Sequence, residues 1–374
     1  MISSKVVGIV GNKGKMAVNI VEPLFKEAGC EVIGSDIKNP SGPSNKEVAE
    51  GADVVYFSVS PICDVAGVIN GLIPFAKPKS LWLHGTSIQN PAGNPISPAM
   101  LSPELAEKKV DTGFLHFMVG PMVRSLRGQS VVYGFYRELF DPEWKEWLTD
   151  LLNQKRPFLM ECSPEQHDDL TTGSQLIPQL TAVAVGQLWK KGNFSLSEVL
   201  RTAGPPCWLQ ADGILRNLMQ NEIIANIIVN HPNVAKIVDG AMDVLKSLKE
   251  LICLRNVHQI SEMAKQGLSV LSKTELDAIK ESVDWHIRLE GDMRGGAICC
   301  VFQPHENKLG LLTEVLKIFD EHGLDKTSCM AQEVPGGGCV FYIGVKADIE
   351  SQQVRQVCEQ VSAKLGGKAK EVSR

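Results

Sequence analysis

The chain has 374 residues, of which 44% are hydrophobic and 22% charged, and its formal net charge at pH 7 is -5. This length predicts two or three domains with buried cores, and the mixed charge argues against the broad basic field of a nucleic-acid-binding protein. The ten cysteines form no pair of Cys-x-x-Cys motifs, and no apolar run reaches about 18 residues. We therefore expect a cytoplasmic protein with no metal site, no membrane span and no nucleic-acid partner.

The first predicted elements are those of a dinucleotide-binding unit. A short apolar strand begins at Val6, a helix runs to Ala28 after a glycine turn, and a second strand ends at an acidic residue. Glycines let such a turn approach a pyrophosphate, and an acid about 20 to 25 residues later can accept the ribose hydroxyls of NAD. The candidate cofactor-binding residues are Gly11, Asn12, Lys13, Gly14, Lys15, Met16, Asp36 and Ser58.

The glycine turn departs from the usual dinucleotide fingerprint in its spacing. It reads Gly11-x-x-Gly14-x-x-Ala17, so the middle glycine is displaced. Lys38 follows Asp36 closely and could tolerate a 2′-phosphate, so NAD is the expected cofactor and NADP the alternative. A plain strand-turn-helix unit with a solvated Asp36 is the competing interpretation.

Further strands and helices alternate up to residue 162. This alternation predicts a mostly parallel, doubly wound, Rossmann-like α/β domain over residues 1–162. Ligands bind such sheets outside the carboxyl ends of the strands. The additional predicted strands are Asp53–Val59, Leu81–His84, Gly113–His116, Gln129–Tyr133 and Pro157–Cys162.

Two polar side chains at the ends of predicted strands are candidates for chemistry. His116 precedes the turn Gly120-Pro121, and a neutral imidazole there could accept a hydroxyl proton as a hydride leaves. Ser87 follows the neighbouring strand and could hydrogen-bond both the imidazole and the same hydroxyl. The alternative interpretation is a histidine that is only packed or solvated.

Residues 163–293 have helical periodicity and almost no strand pattern, which predicts an all-helical domain. The first helix is apolar over much of its surface, as in helices buried within a domain or against another subunit. Pro178 within it predicts a kink. The predicted helices are Pro164–Lys191, Ser195–Thr202, Trp208–Met219, Asn221–Val229, Asn233–Gln266 and Lys273–Arg288.

Arg216 and Asp212 lie four residues apart on one face of a predicted helix. The guanidinium fork of Arg216 could bind a substrate carboxylate with two hydrogen bonds. An exposed salt bridge between the two residues is the alternative interpretation.

Polar residues also interrupt the first long helix. His167, Gln175 and Gln179 either line a site or form hydrogen bonds within the core. His167 and Asp168 could equally face water in the first turn of the helix.

The third region, residues 294–374, has the predicted order β-α-β-β-α-β. That order is typical of a ferredoxin-like α+β domain.

These motifs occur in the same order in a known family. The sequence resembles the prephenate dehydrogenases of tyrosine biosynthesis, also called cyclohexadienyl or arogenate dehydrogenases, over residues 5 to about 290. Residues 294–374 resemble an ACT domain, a regulatory amino-acid-binding module, with Leu309–Leu312 at its loop-to-helix start. The matching segments are Ile9–Met16, Gly85–Ser87, Leu115–Pro121, Gln166–Asp168 with Gln175, and Arg216.

The resemblance implies a reaction and a set of residue roles. NAD takes a hydride from ring carbon C4 of prephenate, His116 accepts the C4 hydroxyl proton, and carbon dioxide leaves from C1 to give 4-hydroxyphenylpyruvate. Ser87 is expected to orient the hydroxyl and His116, and Arg216 to hold a substrate carboxylate. The implied substrate-binding residues are Arg216, Gln175, Gln179, His167 and Asp212.

The resemblance also implies partners. The helical domain is expected to exchange helices in a homodimer. Tyrosine or phenylalanine is expected to bind the ACT domain and inhibit the enzyme. The implied effector-binding residues are Asn307, Leu309, Gly310 and Leu311.

The sequence departs from the family pattern at two positions. Phe117 replaces the usual proline after the histidine, a local change that leaves the imidazole available. Gln179 stands where many members carry a second histidine that contacts substrate, and an amide there cannot carry charge, so the choice of substrate stays open. Arogenate carries an ammonium where prephenate has a keto group, and a nearby carboxylate such as Asp212 would favour the amine.

Two other functions compete with this interpretation. A 3-hydroxyacid dehydrogenase is expected to use a lysine on the first long helix, but Lys190 and Lys191 come only at its far end. A non-catalytic sensor of a dinucleotide and an amino acid is the alternative from another class, and it would not depend on His116.

Overall fold

The structure, a computed structural model, describes residues 5–60, 63–89, 96–121, 123, 125–195, 198, 202, 204–277, 279, 296–334 and 337–372. The chain forms two compact units, one of Met1–Gly192 with Ile214–Val244 and the other of Asn193–Gly213 with Leu245–Arg374. Each unit contains one β-sheet. Among the described helices, none combines the length and the apolar character needed to cross a membrane.

The first unit contains a seven-stranded, mostly parallel sheet in the order β2-β1-β3-β4-β5-β6-β7. Strands β1 to β5 are parallel, β6 is antiparallel to β5, and β7 is parallel to β6. The Rossmann-like prediction is therefore confirmed. The strands are β1 (Val6–Val10), β2 (Glu31–Ser35), β3 (Val54–Phe57), β4 (Leu81–His84), β5 (Asp111–Phe117), β6 (Ser130–Phe135) and β7 (Phe158–Glu161).

Helices cover both faces of this sheet, which explains why the central strands β1, β3 and β4 are almost wholly apolar. One core packs Ile9 and Leu115 against Phe25 and Trp147, and the core on the other face contains Trp82. The helices are α1 (Glu22–Glu27), α2 (Asn45–Gly51), α3 (Val65–Leu72), α4 (Ile96–Met100), α5 (Pro103–Glu107) and α6 (Glu143–Asn153).

The chain order places a ligand-binding crevice at one edge of this sheet. From β1 the chain passes to β2 on one side and later to β3 on the other. Such a reversal of strand order opens a crevice outside the carboxyl ends of the parallel strands. Since β4 and β5 are parallel to β3, their carboxyl ends lie at the same edge.

A series of helices follows the first sheet. A π turn, Thr172–Leu176, divides the helix predicted over Pro164–Lys191, so the irregularity predicted at Pro178 begins one turn earlier. Proline has no N–H and cannot donate the usual backbone hydrogen bond of a helix. The wider π turn accommodates this missing donor. The helices are α7 (Pro164–Thr171), α8 (Ile177–Lys191), α9 (Pro205–Leu218), α10 (Asn221–Asn230), α11 (Val234–Cys253) and α12 (Val257–Leu268).

The single helix predicted over Asn233–Gln266 is wrong, because two helices occupy that segment. Arg255 has a φ of +52°, which breaks the helical path after α11. The Asn256 side chain then accepts a hydrogen bond from the Gln259 amide and caps α12. Most of the helices predicted at Ser195–Thr202 and Lys273–Arg288 lies outside the described residues.

The second unit contains a four-stranded antiparallel sheet in the order β11-β8-β10-β9. Its helices and strands follow the predicted order β-α-β-β-α-β, and both helices contribute to the core on one face of the sheet. Its elements are β8 (Ala297–Phe302), α13 (Leu311–Glu321), β9 (Lys326–Val334), β10 (Gly338–Val345), α14 (Gln352–Leu365) and β11 (Lys368–Val372).

Candidate active site

The glycine turn after β1 packs directly on the end of β3. Gly11 has a φ of +88°, and a Cβ atom there would lie 2.9 Å from the carbonyl oxygen of Ser58. A Cβ atom on Gly14 would lie 3.3 Å from the carbonyl oxygen of Gly11. The turn therefore requires glycine at position 11 and leaves little room for a side chain at position 14, and it leads into the helical segment that starts at Lys15 and Met16.

Asp36 lies beside this turn at the end of β2. Its carboxylate accepts hydrogen bonds from the backbone N–H of Lys13, at 3.0 Å, and of Lys38, at 2.8 Å. Each carboxylate oxygen has a second lone pair that a ribose hydroxyl could use. Asp36 is thus fixed beside the glycine turn, and its contact with a ribose stays a prediction.

The side chain of Asn12 supplies an independent sign of a ligand cradle. A Cβ atom on Gly34 would lie 2.6 Å from the Asn12 Cγ atom, so the amide lies directly on β2. Its Oδ1 atom is buried and has no hydrogen-bond partner among the described residues. The turn therefore fits a bound dinucleotide, which the glycines would admit and the first amides of the helix would contact.

His116 and Ser87 come together at the carboxyl edge of the sheet. The Oγ atom of Ser87, which follows β4, lies 3.4 Å from Nε2 of His116 near the end of β5. This is the pair that the sequence predicted for hydroxyl chemistry. Their proximity follows from the parallel pairing of β4 with β5.

The other nitrogen of His116 joins a buried chain of polar groups. His116 Nδ1 lies 2.9 Å from Nε2 of His167, and His167 Nδ1 lies 2.8 Å from Oδ1 of Asp168. His167 and Asp168 are each 1% exposed, so the interpretation that they face water is wrong. Both ring nitrogens of His167 have protein partners, so contact between His167 and substrate stays a prediction.

The electrostatic surroundings make His116 a neutral base. Burial, together with the nearby His167 and His84, lowers the pKa of His116 to about 3. Its imidazole is therefore uncharged across the neutral pH range. A neutral imidazole that lies beside a hydroxyl can accept a proton from a substrate hydroxyl.

A second buried group of polar residues supports this edge and was missed by sequence reasoning. His84 Nε2 lies 2.7 Å from the Tyr136 hydroxyl, and His84 Nδ1 lies 2.9 Å from the Thr86 hydroxyl. The Tyr136 hydroxyl also lies 3.2 Å from Oε1 of Gln89, whose backbone N–H donates to Asp168 at 2.9 Å. The only sequence signal was a histidine at the end of an apolar strand.

Two glutamines follow α7 in the same unit. Gln175 directs its Nε2 atom at the sulfur of Met118, at 3.8 Å. The Oε1 atoms of Gln175 and Gln179 are buried without hydrogen-bond partners among the described residues. Such orphaned acceptors are costly unless a ligand or water satisfies them, which agrees with the predicted role of both residues in substrate binding.

Arg216 and Asp212 lie on α9, as predicted. The Arg216 side chain is exposed and Asp212 is half-buried. Contact of either residue with a substrate stays a prediction.

The predicted effector loop precedes α13 in the second unit. Gly310 has a φ of +85°, Leu309 is fully exposed, and the side-chain amide of Asn307 donates to the Gly337 carbonyl at 2.9 Å. Leu311 is only 2% exposed and packs in the core of this sheet. Its side chain is therefore turned away from any ligand at the loop surface, so an effector could meet Leu311 only through its backbone.

The part of the chain that the structure describes contains no group of three or more histidine, cysteine, aspartate or glutamate residues able to hold a metal ion.

Solved structures of dehydrogenases share this fold. Arogenate dehydrogenase from Synechocystis aligns with a TM-score of 0.52 and 15% identity, over 71% of this chain and 98% of its own. Prephenate dehydrogenase from Aquifex aeolicus, in complex with hydroxyphenyl propionate and NAD+, aligns with a TM-score of 0.54 and 18% identity, over 71% and 96%. A further structure of the Aquifex aeolicus enzyme aligns with a TM-score of 0.50 and 17% identity, over 70% of this chain and 96% of its own.

No protein-family model matches the sequence, and no curated protein matches it. The structural comparisons establish a fold, that of the prephenate and arogenate dehydrogenases.

Proposed function

We propose that the protein is an NAD-dependent dehydrogenase that converts prephenate to 4-hydroxyphenylpyruvate in tyrosine biosynthesis. The observation that carries the proposal is the pair of His116 and Ser87, 3.4 Å apart at the sheet edge where the glycine turn also lies. The fold supports it, since a structure with this fold has NAD+ and hydroxyphenyl propionate bound. The cradle formed by Gly11, Asn12 and Asp36 supports the cofactor.

When bound, NAD would supply the acceptor for a hydride from ring carbon C4 of the substrate. His116 Nε2 accepts the C4 hydroxyl proton while the C4–H electron pair leaves as hydride, so that C4 becomes a carbonyl carbon. The electron pair of the C1–carboxylate bond then enters the ring as carbon dioxide leaves, which makes the ring an aromatic phenolate. His116 returns its proton to the phenolate oxygen, and the histidine is neutral again.

Ser87 and the two glutamines orient the substrate in this proposal. The Ser87 hydroxyl hydrogen-bonds both His116 and the C4 oxygen, which keeps the proton path short. The orphaned amide oxygens of Gln175 and Gln179 accept hydrogen bonds at the substrate, and Arg216 binds a carboxylate.

The test is an assay of purified protein with NAD or NADP against prephenate or arogenate, followed by the absorbance of the reduced nicotinamide. We expect reduction with NAD and prephenate, and a loss of about two to four orders of magnitude in turnover for His116→Ala. His305→Ala is the matched control, because its ring is 79% exposed. No reduction in any combination would contradict the enzyme and favour a non-catalytic sensor.

If only arogenate supported reduction of the cofactor, the proposed substrate would be arogenate and the proposed mechanism would be unchanged. Asp212 would then be the candidate partner of the substrate ammonium. Asp212→Asn should shift the preference towards prephenate, and an unchanged preference would remove this role.

Residues 294–374 of the second unit are proposed as an ACT regulatory domain. Its support is the β-α-β-β-α-β order and the exposed loop at Asn307, Leu309 and Gly310 that begins α13. Calorimetric titration with tyrosine or phenylalanine should give binding heat, and no heat with either amino acid would contradict the proposal.

A further inference from the structure

We infer that His167 and Asp168 are positioning residues that set the tautomer of His116 and carry the positive charge that it gains. The catalytic consequence rests on the proposed function. The tautomer is a property of the protein alone.

When His167 is neutral, the hydrogen bonds of the chain have one consistent direction. The Asp168 carboxylate can only accept, so the 2.8 Å contact requires His167 Nδ1 to carry a proton. Neutral His167 then has an unprotonated Nε2 atom, which accepts the proton of His116 Nδ1 across 2.9 Å. His116 Nε2 is left with its lone pair directed towards Ser87 and the proposed substrate hydroxyl. The chain therefore prepares the one tautomer of His116 that can act as a base.

Asp168 is held by one contact from outside its helix and by two contacts to its backbone carbonyl at the end of that helix. The backbone N–H of Gln89, 79 residues away in sequence, donates to the same Oδ1 atom at 2.9 Å. The hydroxyls of Thr171 and Thr172 donate to the Asp168 carbonyl at 3.2 and 2.9 Å. The Phe114 ring lies edge-on to His167, with ring centroids 5.3 Å apart. These contacts fix both partners before any substrate binds.

The same chain can move charge away from the buried base. When His116 Nε2 takes the substrate proton, its Nδ1 proton can pass to Nε2 of His167. His116 is then a neutral imidazole protonated at Nε2, and His167 is an imidazolium beside the Asp168 carboxylate. No proton is lost or gained in the shift, and its reversal restores His116 for proton return. A cation next to a carboxylate is far less costly to bury than an unpaired one.

Asp168 is the buried carboxylate in direct contact with His167, whereas the nearby Glu161, Glu165 and Asp169 are exposed. Burial lowers the pKa of His84 on β4 to about 3, and it also lowers the pKa of His231 after α10. Burial raises the pKa of the Tyr136 hydroxyl, and burial with the charge of Asp168 raises the pKa of the Cys162 thiol to about 11. All four groups are therefore neutral near pH 7. The imidazolium would have the Asp168 carboxylate as its counter-ion.

The first experiment reads the tautomers directly. Nitrogen NMR of the full-length protein, labelled with 15N-histidine and without substrate, distinguishes protonated from unprotonated ring nitrogens. We expect both His116 and His167 to be protonated at Nδ1 and unprotonated at Nε2. Signals are assigned with His116→Gln and His167→Gln. A His116 protonated at Nε2 in the free protein would overturn the inference, whether or not the protein turns over prephenate.

The second experiment removes the charge at the end of the chain. In Asp168→Asn the side-chain oxygen can keep the hydrogen bonds from Gln89 and His167, so both tautomers are retained while the imidazolium loses its counter-ion. We expect turnover to fall by about two to four orders of magnitude with little change in KM. Asp169→Asn is the matched control. Asp169 is exposed, and its carboxylate accepts a hydrogen bond from the side chain of Asn233.

The outcomes separate the inference from the proposed function. Wild-type protein without turnover would remove the function, and the NMR result would still decide the tautomer. Turnover at an unchanged rate in a folded Asp168→Asn would overturn the inference alone. If Asp168→Asn fails to fold, the wild-type NMR result decides, and His167→Gln should lower turnover without a matching rise in KM.

Discussion

Two histidines beside the sheet edge are buried in their neutral form, and this has a consequence for stability. Burial and the nearby His167 lower the pKa of His84 to about 3, and burial does the same for His116. In the unfolded chain a histidine titrates near pH 6.5. Between these values the unfolded state binds more protons than the folded state, so stability is present above about pH 6.5 and is lost as pH falls towards 3.

His84→Gln should therefore make the protein less sensitive to acid. The amide nitrogen can replace Nε2 as a partner of the Tyr136 hydroxyl, and one titrating group is removed. We expect a shallower fall in the thermal midpoint from about pH 7 to 4. His305→Gln, on an exposed ring, should keep the wild-type slope. Equal slopes for both variants would contradict a neutral buried His84.

Gly11→Ala should weaken the binding of NAD. A methyl group would meet the Ser58 carbonyl at 2.9 Å, and a φ of +88° is strained for alanine. We expect the KM for NAD to rise while the KM for prephenate changes little. Gly29→Ala is the control, because Gly29 has a φ of +81° but open space around it. If both variants raised the KM for NAD to a similar extent, the effect would come from backbone strain and not from a clash in the cofactor site.

For individual residues, sequence reasoning identified the pair of His116 and Ser87 but not the polar groups behind it. His116 and Ser87 were found because each follows an apolar strand whose end meets the same sheet edge. Gln89 and Tyr136 were not, because the contacts that give them a role join residues 47 or more positions apart. No local pattern encodes such a distance.

The elements show where close packing limits the choice of residue. A Cβ atom on Gly134 in β6 would collide with the carbonyl oxygen of Cys162 and with the ring of Phe114. Gly134→Ala should lower the free energy of unfolding by about 1 to 3 kcal/mol. Gly71 in α3 has nothing within 4 Å of its Cβ position, so Gly71→Ala should raise it by about 0.5 to 1 kcal/mol.

Chemical denaturation of both variants against wild-type protein measures this pair. If Gly134→Ala were more stable than the wild-type protein, β6 and the segment after β7 could move apart without a loss of folding free energy. A destabilised Gly71→Ala would mean that the exposed surface of α3 is less open than the structure indicates.

Two helices contain the same irregularity, a π turn before a proline, which hydrophobic periodicity cannot predict. A π turn, Ala17–Val21, precedes Pro23 in α1, and the π turn Thr172–Leu176 precedes Pro178 in α8. In each case proline is the second residue after the wide turn. The apolar pattern gives the helix and the proline gives the irregularity, but the choice between a kink and a π turn depends on packing.

At the scale of the whole molecule, the exposed apolar side chains of α11 support the proposed homodimer. Val238, Met242, Leu245 and Ile252 recur at helical spacing, and each is more than one-third exposed. Such a stripe is costly in water unless another surface covers it. We therefore expect a mass of twice the 40.8 kDa of the chain in solution.

Met242→Asp should shift this equilibrium to the monomer, because a carboxylate in an apolar interface loses its hydration. Ser247→Asp places the same charge on a different face of α11 and should leave the mass unchanged. Light scattering coupled to size exclusion measures both variants. A wild-type monomer, or a dimer insensitive to Met242→Asp, would contradict the role of this stripe.

The sequence by itself determined the Rossmann-like sheet, the β-α-β-β-α-β order, the glycine turn and the pair of His116 and Ser87. These follow from local periodicity, glycine positions and strand ends, which act over a few residues. The tertiary structure alone decided that His167 and Asp168 are buried and joined to His116. The reason is that hydrogen bonds across β4, β5 and α7 form only when the elements pack, and burial then keeps His84 and His116 neutral.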